Sequence, residues 1–435
     1  MLAIEEEICQ MDITSRASCK RNPKMFNKKI RINSTVFHSC LQLLTVFAFS
    51  VGAASAAGAA EWRIEPLFKA GGETDDNAVL DFRTDEEEEI SGLIAEGLAN
   101  FEYSSPLSSF RATPLVRYRD YGDPDFDSTD SFFTAEYNRD FRSTSFSLAG
   151  SYSNELVRTA ERADADLEVD DPSQIPDNDS GRVFLRDRRV SIKVDPRLTY
   201  RLSNVSTLDF NVIYQDVQYD EKLLGLLNDY TNIRANLSYS RAWSRRNTGI
   251  FSATYRQYEA EGRPAIDGYG IGAGFETRLS ETTVIRAIFG MENTELDTGE
   301  NDVNPVANIY VRRRLETIIM FAQYRRVISG GGGGSLTARD MLNLNFTRRL
   351  NDRVSAGIGV RAYSTSALEE GTITIDERDY LQLRGQFIWN LSRNFSIEAN
   401  YRYTILNRQI VGEAANSNNI TIFLNWRPTP FVRSM

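Results

Sequence analysis

The dominant signal in this chain is an alternation of apolar and polar residues with a period of two. In "NFSIEANYRYTI" (394–405) the positions Phe395, Ile397, Ala399, Tyr401, Tyr403 and Ile405 are apolar or aromatic, and Asn394, Ser396, Glu398, Asn400, Arg402 and Thr404 are polar. Successive side chains of a strand point to opposite faces, so the segment reads as a strand with two unlike faces. The same division separates Val190, Ile192, Val194, Leu198 and Tyr200 from Arg189, Ser191, Lys193, Asp195, Arg197, Thr199 and Arg201. It recurs at Leu208, Phe210, Val212 and Tyr214, at Ile233, Ala235, Leu237 and Tyr239, at Val354, Ala356, Ile358, Val360 and Ala362, and at Leu381, Leu383, Phe387 and Trp389. Helical periodicity fits these stretches poorly.

The connections add a second regularity. Short polar turns such as "FRSTS" (141–145), "LSNVS" (202–206), "SRRN" (244–247), "LNDR" (350–353) and "LSRN" (391–394) alternate with longer segments. The longer ones include "DYGDPDFDSTD", "DEKLLGLLND", "ELDTGENDVNP" and "VISGGGGGSLTARD". This is the arrangement of an outer-membrane barrel, with short periplasmic turns and long extracellular loops. Strands of about 12 residues, tilted by about 40°, cover a hydrocarbon layer of about 25 to 30 Å, and they are long for a soluble sandwich. The expected fold is therefore all-β: a single antiparallel transmembrane β-barrel of about 18 strands, or 16 should the N-terminal segment be irregular. It begins at "EWRIEPLFK" and ends at "NITIFLNWR". On the apolar parity, Trp243, Trp389, Trp426 and Tyr200 fall near the short-turn ends. Tyr118, Tyr152, Tyr214, Tyr255 and Tyr324 fall nearer the long loops, as two interfacial girdles would.

Residues 25–60 carry a basic stretch, the apolar run "CLQLLTVFAFSV" and the small residues "GAASAAGAA". We read residues 1–60 as an N-terminal extension and cleavable signal peptide, cut near Ala57 or Ala60, and residues 61–435 as the barrel. The apolar run is shorter than a spanning helix requires. The 24 residues before Met25 have less targeting character, which makes Met25 an alternative start. Cys9, Cys19, Cys40 and the one histidine, His38, all precede the cut. A mature chain without His or Cys cannot build Ser/His/Asp or Cys/His nucleophiles or ordinary zinc sites, so an enzyme is not expected. Neither a cofactor nor a nucleic-acid partner is implied. Expected partners are outer-membrane lipid and lipopolysaccharide, together with components of a polysaccharide-export system should that function hold.

The formal charge is −10, yet the polar strand faces are basic. The channel-lining candidates are Arg111, Arg117, Arg119, Arg189, Arg197, Arg234, Arg256, Arg286, Arg325, Arg361, Arg384, Glu398 and Arg402. Beyond residue 60 the lysines are only Lys69, Lys193 and Lys222, so the positive charge is mainly guanidinium, whose planar fork suits carboxylate and phosphate. Two readings compete: a conduit that prefers anions, and an Arg/Glu network that stiffens the wall. Negative charge gathers in the loops "DEEEE" (85–89), "DPDFDSTD" (123–130) and "DADLEVDDPSQIPDND" (164–179), read as solvated rather than as metal sites. "LLGLL" (223–227) is an apolar loop tip, and "GGGGG" (330–334), with no following helix and Lys, reads as a flexible loop.

Together with "RGQFIWNLSRNFSIEANYRYT", the dyad-repeat strands and Arg-rich polar faces resemble the beta-barrel porin 2-like group of exopolysaccharide-associated outer-membrane barrels over residues 61–435. That resemblance implies a role in exporting an extracellular polysaccharide, an acidic one given the basic faces. The alternatives are a general diffusion porin for small anionic solutes and a non-conducting structural or adhesive barrel. One departure is the ending "NWRPTPFVRSM", which displaces Trp426 and Phe431 from the terminal position that an aromatic residue commonly occupies.

Overall fold

The strand Ala414–Trp426 shows what the alternation becomes. Ala415, Ser417, Asn419, Thr421, Phe423 and Asn425 are buried, whereas Ile420, Ile422, Leu424 and Trp426 are exposed. The face that hides from solvent is mostly polar, and the face that meets it is apolar, which reverses the pattern of a soluble sheet. The computed structural model describes residues 60–82, 87–161, 187–220, 227–295, 301–368, 377–408 and 414–434.

The strands in chain order are β1 (Glu61–Asp75), β2 (Ile90–Ser104), β3 (Ser108–Asp120), β4 (Ser128–Asp140), β5 (Thr144–Leu156) and β6 (Arg188–Ser203). Next come β7 (Ser206–Tyr219), β8 (Tyr230–Ala242), β9 (Asn247–Ala260), β10 (Ile266–Ser280), β11 (Thr283–Glu295) and β12 (Asn301–Arg314). The series ends with β13 (Ile318–Gly330), β14 (Leu336–Arg349), β15 (Val354–Ala367), β16 (Arg378–Asn390), β17 (Phe395–Arg408), β18 (Ala414–Trp426) and β19 (Phe431–Ser434). A single turn of helix, Val157–Glu161, follows β5. From β1 to β18 every strand pairs antiparallel with the next in sequence, and β1 pairs with both β18 and β19, which closes the sheet and removes its edges. β18 and β19 occupy one position in the ring, β18 against Phe68–Asp75 and β19 against Glu61–Ile64, so the barrel has 18 staves.

Proline marks where the ladder breaks, because it has no N–H to donate. Pro66 lies where β1 has no partner between β19 and β18, opposite the bulged "RPTP" of the last stave. Pro114 and Pro196 sit in gaps of the β2–β3 and β6–β7 ladders. Pro305 lies on β12 where it pairs with β11 alone.

The turns at one end are short and self-bonded. The Asn351 side-chain oxygen accepts from the N–H groups of Arg353 and Val354, and Ser392 Oγ does the same for Asn394 and Phe395. At the other end, tyrosines on the apolar face are tied to neighbouring side chains: Tyr255 to Asp267 at 2.9 Å, Tyr324 to Asp340 at 2.6 Å and Tyr401 to Asn418 at 2.8 Å. Trp243, Trp389 and Trp426 are exposed near the short-turn end. Between these girdles Ile271 (73% exposed) and Ile358 (65%) belong to an outward apolar belt. Strands of 13 to 16 residues span this belt. The molecule is an 18-stranded antiparallel transmembrane β-barrel of the bacterial outer membrane.

Candidate functional site

The wall is regular until the upper part of the β13–β14 hairpin. Lower down, Phe321 and Gln323 are buried while Met320 and Tyr324 are exposed, as the strand period requires. Higher up the alternation stops: Ile328, Leu336 and Ala338 from one parity and Thr337 and Arg339 from the other are all buried. The β12–β13 ladder ends at Ala307↔Arg326, whereas β13–β14 pairing runs on to Gly330↔Leu336. The tip of the hairpin therefore leaves β12 and turns into the barrel.

Its partners identify where it goes. Tyr258 Oη on β9 donates to the Gly331 carbonyl at 2.7 Å, and the N–H of Asn228, just before β8, donates to the Gly332 carbonyl at 2.8 Å. Arg234 on β8 and Arg256 on β9 both donate to the Ile328 carbonyl. Bonds between staves that are not neighbours can form only across the concave side. Ile328, Leu336 and Ala338 join Val217, Tyr219, Tyr230, Tyr258 and Ile266 in one apolar cluster. Glycine is needed for this approach: a Cβ on Gly330 would lie 2.3 Å from the Tyr258 ring, and one on Gly332 2.3 Å from Tyr219 Oη. The glycine run is thus a close-packed crossing and not the flexible loop that its composition suggested. Of the apolar tip "LLGLL", only Leu227 lies within the described residues, and it is buried in the same cluster.

A second segment enters from the opposite side. After β1 the chain folds inward, and Leu80, at φ 55°, is buried against Met341, Tyr363, Tyr380, Leu406 and Ala415 at the upper ends of β14 to β18. Reciprocal bonds of 2.9 Å between Asn77 and Asp81 hold this strap in shape. Tyr121, beyond the end of β3, donates to Glu73 at 2.7 Å, and burial pushes its hydroxyl well above the ordinary tyrosine range.

All 13 sequence candidates lie on the parity opposite the exposed apolar residues, but their surroundings differ. Arg111 pairs with Glu102, Arg117 with Glu96, and Arg119 with both Asp130 at 2.6 Å and Glu73 at 3.6 Å. Arg256 pairs with buried Glu292 at 3.1 Å. Glu398 receives Lys69 at 3.0 Å and Asn425 at 3.1 Å. These groups resemble the stiffening network. Arg384 and Arg402 stand directly opposite each other, and among their contacts they donate to the side-chain oxygens of Asn345 and Asn419, each at 3.2 Å. Arg361 is buried between Asn343 and Gln382, and Arg325 lies between Asn308 and Met341. Arg286 faces Glu276 and Tyr310 on its two neighbouring strands. On β6, Arg189 is buried near the upper end, and Arg197 borders a cavity of about 280 Å³ with Asn138, Asp140, Ser147 and Thr199 near the short turns. Among the described residues no three His, Cys, Asp or Glu side chains are grouped to hold a metal ion.

Tyr258 and Leu80 carry no sequence signal that singles them out, and Gln382 reads only as one more polar-face residue beside Arg384. Tyr258 and Gln382 share the parity of the candidate arginines Arg256 and Arg384, so strand phase alone puts them on the same wall.

No family model matches the chain, and no curated protein matches it. Solved structures of similar shape include OpdO of Pseudomonas aeruginosa, at 9% identity and a TM-score of 0.45 over 85% of this chain and 97% of that one. Others are OccAB4 of Acinetobacter baumannii (10% identity, TM-score 0.45, 86% and 98% covered) and a BenF-like porin of Pseudomonas fluorescens Pf-5 (10%, 0.44, 86% and 99%).

Proposed function

We propose that the barrel is an anion-preferring diffusion channel of the outer membrane, narrowed near its loop end by the inturned β13–β14 tip and the Leu80 strap. The observation that carries this reading is Arg384 standing directly opposite Arg402 on the inner face, each donating to an asparagine side chain, two same-face steps below the apolar layer that packs on Leu80. Fixed positive charge in a narrow, low-dielectric passage raises the local concentration of anions and opposes cations. In a planar bilayer under a salt gradient, the reversal potential is expected to move toward the anion equilibrium potential. A cation-selective current, or none, would overturn the proposal, and the absence of current would favour a structural or adhesive barrel.

Export of an acidic polysaccharide, the finer function implied by resemblance to exopolysaccharide-associated barrels, has one observation in its favour. Arg189, Lys193, Arg197 and Arg201 share one parity along β6, with Asp195 the one acidic residue among them, so that face is net basic from loop end to turn end. Loss of secreted polysaccharide on gene deletion, with small-ion conductance of the purified barrel intact, would support export. Unchanged secretion would leave the diffusion channel alone.

A further inference from the structure

The inner face of β15, β16 and β17 carries two adjacent rows of side chains. One runs Arg361, Gln382, Thr404, in direct cross-strand register, and the next runs Gly359, Arg384, Arg402. Gln382 and Thr404 are each 1% exposed. Neither the Gln382 amide nitrogen, nor its oxygen, nor Thr404 Oγ1 has a hydrogen-bond partner among the described residues. Two polar groups so deeply buried and so left over cost the fold stability, unless something else completes their bonding. Beside them Arg384 opposes Arg402, and like charges directly across a ladder repel. Arg384 extends over side-chain-free Gly359 to reach Asn345, which keeps the two guanidinium groups on this inner surface. The apolar layer under Leu80, made by Tyr363, Tyr380 and Leu406, stands one same-face step nearer the loops and roofs both rows.

Resting on the channel reading, we infer that Arg361, Gln382, Arg384, Arg402 and Thr404 form a binding subsite for a hydroxylated carboxylate of the sugar-acid class. The division of labour follows from donor and acceptor chemistry. The arginines neutralise and grip a carboxylate, for which the guanidinium fork is shaped. Gln382 Oε1 is an acceptor only, so a bare carboxylate, phosphate or chloride has nothing to give it. A hydroxyl on the carbon skeleton supplies the missing donor, and the Gln382 amide N–H and the Thr404 hydroxyl can donate to further hydroxyl oxygens. The subsite therefore discriminates a sugar acid from a plain fatty acid of equal charge, because the latter would leave Gln382 and Thr404 without partners.

The test uses the purified full barrel in detergent with D-glucuronate and hexanoate as probes, titrated calorimetrically, and the same barrel in a planar bilayer. Wild type is expected to bind glucuronate at least tenfold more tightly than hexanoate. Gln382→Leu, of similar volume, is expected to erase that preference by weakening glucuronate at least tenfold, and Arg384→Gln to weaken both. Heat-modifiable gel mobility checks that each variant is folded. Equal affinity for the two probes, or a preference that survives Gln382→Leu, would overturn the subsite, whether or not the barrel conducts anions. Selective glucuronate binding by a barrel that passes no current would leave the subsite standing and remove the channel.

Discussion

Tyr258 on β9 donates its hydroxyl proton to the carbonyl of Gly331, 73 residues later in the chain, at 2.7 Å. This bond ties one wall of the barrel to the tip of a hairpin that belongs to another. Around it the Tyr258 ring packs against Tyr230, Ile328 and Leu336, all buried. The crossing is held by this bond, the backbone bond from Asn228 to Gly332, the bonds of Arg234 and Arg256 to the Ile328 carbonyl and an apolar contact.

Tyr258→Phe removes the bond and keeps the ring. A hydrogen bond of this kind contributes about 1 kcal/mol net, so the balance between crossed and uncrossed tip should move roughly fivefold. Single-channel recordings should show a higher open fraction or a larger conductance, with unchanged heat-modifiable mobility. An unchanged current would mean that the tip does not limit flow.

Gly330→Ala attacks the same contact sterically. The new Cβ would fall 2.3 Å from the Tyr258 ring, which cannot be accommodated without moving the tip or the ring. A conductance gain exceeding that of Tyr258→Phe is expected. Combining the two substitutions should add little, because both act on one contact.

These two residues also show how much was legible in the sequence. The period-two alternation identifies the staves and their faces, since lipid outside and a polar interior impose opposite demands on successive residues. The short turns give the strand count, and the ring from β1 at Glu61 to the last stave, β18 continued by β19, agrees with it. The crossing was hidden because its upper strand residues keep an ordinary wall pattern: Ile328, Leu336 and Ala338 sit on the parity that faces lipid elsewhere, yet here they meet Tyr219 and Tyr258. A run of glycines reads as freedom when only its neighbours in sequence are known. Against an aromatic wall, Gly330 and Gly332 are where a Cβ would strike Tyr258 and Tyr219. "ELDTGENDVNP" read as a loop for a related reason, since β12 from Asn301 to Val306 pairs on one side only and tolerates Pro305.

Arg117 and Glu96 test the division between stiffening and function. Glu96 has a largely buried side chain, and removing its guanidinium partner leaves that charge without compensation. Arg117→Gln alone should destabilise the barrel by about 3 kcal/mol in a urea titration in lipid. The double variant Arg117→Gln, Glu96→Gln should recover most of that loss. Its anion-to-cation permeability ratio should match wild type, whereas Arg384→Gln should lower the ratio. A reversed pattern would place the functional charge on β3.

The seam between β12 and β13 allows the motion of the tip to be followed directly. If their ladder continued upward from Ala307↔Arg326 in the same register, Asn304 would face Ser329 and Val306 would face Val327; the observed ladder stops short of both pairs. Such a zipped hairpin would rejoin the wall, turn Ile328 outward and clear the lumen. Cysteines at Asn304 and Ser329 can form a disulfide only when their Cα atoms come within about 7 Å, which opposed residues of an antiparallel pair satisfy. All native cysteines precede residue 41, so a barrel prepared from residue 61 carries no competing thiol. Asn304→Cys with Ser329→Cys should therefore oxidise slowly in the otherwise wild-type barrel and several-fold faster when Tyr258→Phe is added. The oxidised form should conduct more than the reduced one, and reductant should reverse the gain. Fast, complete oxidation without any change in current would show that the tip already lies in the wall, and that the lumen is not crossed where Tyr258 meets Gly331.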